Sequence, residues 1–185
     1  MNDNLVSTFW PQARSQLLAK FALVISGIAL LAISSKIQVP FWPVPMTLQS
    51  LVVLLIGASY GARLAGTTLL SYLATGAIGL PVFAKGAGLA YMAGPTGGYL
   101  IGFLAAAVVV GWLADRGFGR TLLSAVAILA AGELVLFALG VSWLAIAIGL
   151  QKAIAGGLMP FIPAEALKMA LACAALDLAW RRSKT

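Results

Sequence analysis

The sequence contains no histidine and a single cysteine, Cys173. Without histidine there is no Ser–His dyad, no imidazole metal ligand and no imidazole proton relay. One cysteine allows neither a disulfide within the chain nor a CxxC pair, and its place in an apolar run reads as a small buried side chain. Charge is also scarce: Asp, Glu, Lys and Arg together make up 9% of residues, against about 25% in an ordinary soluble domain. No GxxxxGK[ST] phosphate loop occurs, so the chain has no route of that kind to ATP hydrolysis. Paired catalytic acids, a nucleophile elbow, a metal-ligand cluster, heptads and low-complexity tracts are missing as well.

What the sequence does have is apolar surface. Apolar residues make up 62% of the chain and mean hydropathy is +1.02. A chain of 185 residues with this composition cannot cover a water-facing surface with polar groups, so its surface faces lipid. The length suits one domain, 1–185, and no stretch is polar enough to form a second, soluble one. The expectation is an all-α membrane protein. Apolar runs predict transmembrane helices over 17–35, 47–60, 64–80, 99–114, 121–140 and 163–180. The first run, flanked by Arg14 and Lys20, is too long for a signal h-region and lacks a small-x-small cleavage pattern, so it is read as a helix of the mature protein.

Charge placement sets the topology. The net charge of +7 comes from basic residues at the ends of apolar runs, not from one helix face. It is therefore read as a topology signal and not as a nucleic-acid surface. Six spans with both termini cytoplasmic put Arg14, Lys20, Arg63, Arg116, Arg120, Arg181, Arg182 and Lys184 inside and leave only Lys36, Lys85 and Lys152 outside. A seventh span would export the basic C-terminal tail. The stretch 142–157, weakened as a span by Gln151, Lys152 and the Gly156–Gly157 pair, is therefore read as an interfacial helix on the outer side. Trp42 and Trp143 then fall at the outer interface, and Trp10, Trp112 and Trp180 at the inner one.

Every proline except Pro11 lies in an outer connection or at the outer end of a helix. Irregular backbone at membrane depth survives only where protein buries it or where it lines a cavity. The expectation is an outward-opening pocket roofed by the segments 36–47, 81–98 and 141–162. Three ionisable residues sit in or at the edge of spans: Glu133, Glu165 and Lys168. Glu165 and Lys168 share one face at the start of the last helix, where the helix N-terminus also favours an anion. A purely structural ion pair would explain them too, but their coincidence with the pocket mouth favours a ligand role. Glu133 is read as structural, pairing with a basic group or tying the fifth helix to a neighbour. Ala22 and Ser26, with Ala29 and Ala32 further along the first helix, allow close helix approach within the bundle or with another membrane protein.

Five stretches, in order, carry a resemblance: PVPMTLQ at 43–49, GLPVFAKGAG at 79–88, GPTGGYLIGF at 94–103, GVSWLA at 140–145 and GLMPFIPAEALKMALA at 157–172. They fall in order along most of the chain, between 43 and 172. The sequence resembles the BioY family, the biotin-specific substrate-capture (S) subunits of energy-coupling-factor (ECF) vitamin transporters. The resemblance implies an S-component fold of six helices in a bacterial-type inner membrane, and a biotin pocket near the outer face. It also implies partnership with a transmembrane scaffold subunit and two ATPases, with Ala22, Ser26 and Ala29 as the expected docking face. The last motif commonly has aspartate where this chain has Glu165, so the carboxylate is kept with a reach one methylene longer.

Biotin offers two ureido N–H donors, a ureido oxygen, an apolar thioether ring and a carboxylate on a flexible tail. Glu165 suits the N–H groups; Lys168 suits the ureido oxygen or the carboxylate. Lying side by side, the two serve one polar end. Lys85, Tyr91 and backbone N–H groups around 94–99 are candidates for the other end, and Phe41, Trp42, Phe83 and Phe161 for the apolar middle. Gln49, Thr96 and Tyr99, within the matching motifs, complete the candidate substrate-binding set; no metal and no cofactor other than biotin as transported ligand is expected. The alternatives are a stand-alone carrier for biotin or another small solute and, disfavoured by the missing catalytic groups, an intramembrane enzyme.

Overall fold

The computed structural model describes residues 5–10 and 16–182; Arg14 and Lys184 of the expected inner charge group, and Pro11, lie outside the described residues. The elements are α1 (Leu5–Phe9), α2 (Leu17–Lys36), β1 (Gln38–Val39), β2 (Met46–Thr47), α3 (Gln49–Ala77), α4 (Gly88–Met92), α5 (Gly97–Ala114), α6 (Leu122–Ile148), α7 (Leu150–Gly157) and α8 (Ile162–Arg182). The strands pair antiparallel, Gln38 with Thr47 and Val39 with Met46. Helix α3 packs on α5 and α5 on α6; α2 lies against α3, α7 against α6, and α8 against both α3 and α6.

Two expected runs, 47–60 and 64–80, are the halves of α3. Gly61 breaks it with φ 77° and ψ 168°, a conformation that glycine adopts without a Cβ penalty. The freed N–H of Ala62 is not stranded: it donates to Asp115 Oδ2 at 3.0 Å. Gly111 of α5 fits against the break, where an added Cβ would lie 2.5 Å from the Ala62 nitrogen. Small residues thus let α3 and α5 approach to backbone contact.

The fifth expected helix is longer than its sequence pattern indicates. It continues past Gly140 to Ile148 and stops at Gly149, whose φ is 85°. Gly140 is therefore no helix end. It is a packing site against the Tyr99 ring, where a Cβ would clash. Consequently 142–148 belongs to α6, and only 150–157 remains of the interfacial helix expected over 142–157. Helix α8 starts one residue earlier and ends two later than the 163–180 run.

Among the described residues, four helices are long and apolar enough to cross a membrane: α2, α3, α5 and α6, with mean hydropathies of 2.3, 1.4, 1.9 and 2.4. A fifth span arises if α7 and α8, bent by 50°, are taken together. Large apolar side chains such as Leu18, Phe21, Ile25, Leu123, Leu134 and Ile146 point outward, as a lipid-facing surface requires. Leu31, Val53, Leu69, Tyr72, Val110, Leu129 and Leu144 are fully or almost fully buried between the helices.

Candidate functional site

At one end of the bundle lie the β1–β2 hairpin, the segment 78–96 and the connection 149–161. Much of this backbone lies outside α4 and α7, and side chains from other elements reach across to bond its carbonyls. Ser35 Oγ and Tyr72 OH donate to Val82 O at 2.8 and 2.9 Å. Lys36 Nζ donates to Phe83 O at 2.6 Å and Gln38 Nε2 to Ala84 O at 3.2 Å. Trp143 Nε1 donates to Gly94 O at 3.0 Å, and Tyr99 OH to Gly157 O at 2.7 Å.

Beneath this roof is a cavity with about 470 Å³ of empty space, counted out to its open mouth. Its wall is mostly apolar: Val44 and Pro45 from the hairpin, Leu100 and Phe103 from α5, Leu136 and Phe137 from α6, and Phe161 before α8. Tyr99 stacks on Phe161 with ring centroids 6.4 Å apart, and Phe137 meets Phe161 edge-on at 5.9 Å. Polar groups on the wall are Thr47, Gln49, Ser50, Tyr91, Thr96, Tyr99 and Glu165.

Glu165 is held from behind. Its Oε1 accepts from Lys168 Nζ at 2.8 Å and its Oε2 from Ser50 Oγ at 2.7 Å. Lys168 spends its other two donors on Thr47 O and on Ser50 Oγ, the latter at 3.0 Å. The pair is almost fully enclosed, with side chains 9% and 10% exposed. A buried ion pair gains little net stability over an apolar pair, yet breaking it is costly. Its place in the first turn of α8 puts the carboxylate at the helix end that favours negative charge.

Five of the nine sequence candidates therefore meet at the wall: Gln49, Tyr91, Thr96, Tyr99 and Glu165. Lys168 stands one layer behind. Phe83 is fully buried and supports the wall from outside it, stacked on Tyr91 with centroids 5.3 Å apart. Lys85 is exposed and Trp42 is 81% exposed; neither contributes to the wall. Phe41 reaches Phe161 at 6.5 Å. Sequence reasoning did not single out Ser50 or Phe137. Ser50 had a signal, a polar residue beside Gln49 at a helix start, whereas Phe137 sits in a uniformly apolar run and had none. Ala22, Ser26 and Ala29 are exposed on α2, where Ser26 Oγ also lies 3.4 Å from Tyr60 OH.

This geometry suits a small organic molecule with an apolar body and N–H donors aimed at Glu165. The BioY family model matches residues 5–185. The chain belongs to the BioY family. It is 40% identical over 152 residues to the "Probable biotin transporter BioY" of Pyrococcus horikoshii, covering 82% of this chain and 90% of that one. It is 39% identical over 166 residues to the "Biotin transporter BioY" of Rhizobium etli, covering 84% and 87%. The fold is similar to a crystal structure of the S-component for biotin from an ECF-type ABC transporter. There the TM-score is 0.77, the sequence identity 25%, and the coverage 91% of this chain and 92% of that one.

Proposed function

We infer that this protein is the biotin-capturing S-component of an ECF-type uptake transporter. It is a multi-pass membrane protein and a transporter component, not an enzyme. The observation that carries this reading is the cavity wall: an aromatic slot with one carboxylate, Glu165, in a chain of the BioY family.

The ureido ring of biotin sits at Glu165. The carboxylate lies on the wall and accepts the two ureido N–H groups; it would repel biotin's own carboxylate. Lys168 has all three N–H groups engaged behind the wall, so its part is to hold Glu165 in place and to supply positive charge nearby. Tyr99, Phe137 and Phe161 pack the thioether ring. Tyr91, Thr96 and Gln49 serve the remaining polar atoms, and the valeryl tail leads to the mouth.

Six spans result from counting α2, both halves of α3, α5, α6 and α8 separately, with α7 at the interface. An even number keeps both termini in the cytoplasm, beside Lys20, Arg63, Arg116, Arg120, Arg181 and Arg182, and turns the cavity outward. Ala22, Ser26 and Ala29, small and exposed, form the docking face for a transmembrane scaffold subunit that carries two ATPases, in a bacterial-type inner membrane.

The test is labelled-biotin binding and uptake in cells that lack biotin transport, with and without the scaffold and ATPase subunits. Binding by the chain alone, with accumulation only when those subunits are present, supports the proposal. Accumulation by the chain alone makes it a stand-alone carrier, and absence of binding overturns the biotin assignment.

A further inference from the structure

The cavity end carries three cations that neither the cavity wall nor the membrane topology accounts for. Lys36 closes α2, Lys85 lies in the segment 78–96, and Lys152 is on α7; all three are exposed. With the cavity turned outward, the positive-inside rule favours the opposite end for basic residues. The three belong to the roof. Lys36 Nζ donates to Phe83 O at 2.6 Å. Lys85 follows Ala84, which also lines the cavity. Lys152 is on the helix whose Gly156 meets the hairpin: an added Cβ there would lie 2.9 Å from Pro43 Cδ, and the next two residues, Val44 and Pro45, line the cavity.

No exposed acid offsets these charges at the cavity end among the described residues. Asp115 follows α5 at the other end of the bundle, and Asp177 pairs with Arg181 near the far end of α8. Glu133 is 7% exposed, and Glu165, 8% exposed, is paired with Lys168. Lys85 and Lys152 have no hydrogen-bond or ion-pair partner among the described residues. A solvated ammonium of this kind adds little to a bound state. What it changes is the rate of encounter with an opposite charge, over a distance set by the ionic strength.

Biotin is such a charge, since its carboxylate is ionised at neutral pH. The wall offers that carboxylate no free cation: Lys168 stands behind Glu165 with its three N–H groups engaged. The tail stays at the mouth, within the field of the roof. We propose that Lys36, Lys85 and Lys152 form an electrostatic collar that speeds the entry of a small carboxylate-tailed ligand without holding it once bound. The role deepens the biotin-capture reading and rests on it.

The test is stopped-flow association and dissociation in a non-ionic detergent, with biotin and with biotin amide, whose tail is neutral, at low and at high salt. Wild type is compared with the double variant Lys85→Gln, Lys152→Gln, whose thermal midpoint is measured beside it; Lys36 is kept because it holds Phe83 O. At low salt, biotin associates about threefold or more slower with the double variant, and the difference shrinks at high salt. Dissociation stays within about twofold of wild type. Biotin amide associates equally fast with both proteins. The salt series on wild type alone makes the same distinction should the variant fold poorly: biotin slows with salt and the amide does not. Equal biotin association rates in wild type and a folded variant overturn the collar, as does a wild-type rate indifferent to salt. Slowing of the amide by the same factor overturns it too, since the lysines would then shape the mouth. Faster dissociation with unchanged association makes them a binding contact and overturns it as well. A folded wild type that binds neither ligand sinks the capture reading and the collar with it; a wild type that binds biotin at rates independent of these lysines sinks the collar alone.

Discussion

The two ends of the bundle solve the same problem in different ways. Around 115–121 the chain turns quickly, through Gly117 and Gly119 with φ of 88° and 91°. Much of the bonding there is local. Thr121 and Ser124 form a capping box at the start of α6, Arg116 lies 3.4 Å from the Trp112 ring centroid, and Asp177 pairs with Arg181 at 2.8 Å. At the other end, long segments are held by side chains from remote helices donating to single carbonyls, as Lys36 does to Phe83 O and Tyr99 to Gly157 O. Local bonds close a turn and leave no space. Remote bonds hold irregular backbone apart from the helix ends, and the space left between them is the cavity. One end maintains the bundle, and the other spends its polar groups on a site.

The largest expected effect breaks the cavity end. Lys168→Met removes the charge partner of the buried Glu165 carboxylate, leaving it the Ser50 hydroxyl, and should cost about 3–5 kcal/mol, read as a lower thermal midpoint in detergent. Adding Glu165→Leu should return most of that stability while leaving biotin unbound, because an apolar pair replaces a buried ion pair at little net cost. The other end is tested by Gly111→Ala. Its Cβ would lie 2.5 Å from the Ala62 nitrogen, which is backbone and cannot swing aside, so a loss of about 1–3 kcal/mol is expected, again by thermal unfolding.

Much of this division was legible in the sequence. Proline and glycine density marked the cavity end, short basic turns marked the other, and Glu165 with Lys168 stood out because charge within a span is expensive. The break in α3 was visible at Gly61 and Arg63. The continuation of α6 through Gly140 was not, because a glycine that admits the Tyr99 ring looks the same in sequence as one that ends a helix. Side-chain direction was equally hidden. Trp42 and Tyr91 are both aromatic residues in loops, yet one is largely exposed and the other lines the cavity. Composition sets that both belong to the roof; only the hairpin and the Phe83–Tyr91 stack decide which faces inward.

Two smaller effects sharpen the contrast. Tyr99→Phe keeps the ring on Phe161 but removes the donor to Gly157 O, leaving that carbonyl unpartnered; a loss of about 1 kcal/mol is expected by thermal unfolding. Trp42→Ala removes a largely exposed ring outside the wall and should change stability by less than about 0.5 kcal/mol, with biotin affinity unaltered in the same titration.

Biotin titration of the purified protein beside Glu165→Ala tests the central claim most directly. Tight binding by the wild type and a loss of about tenfold or more in the variant are the results expected if the carboxylate on the wall receives the ureido ring. Equal binding by both proteins would contradict that and move the ligand away from α8.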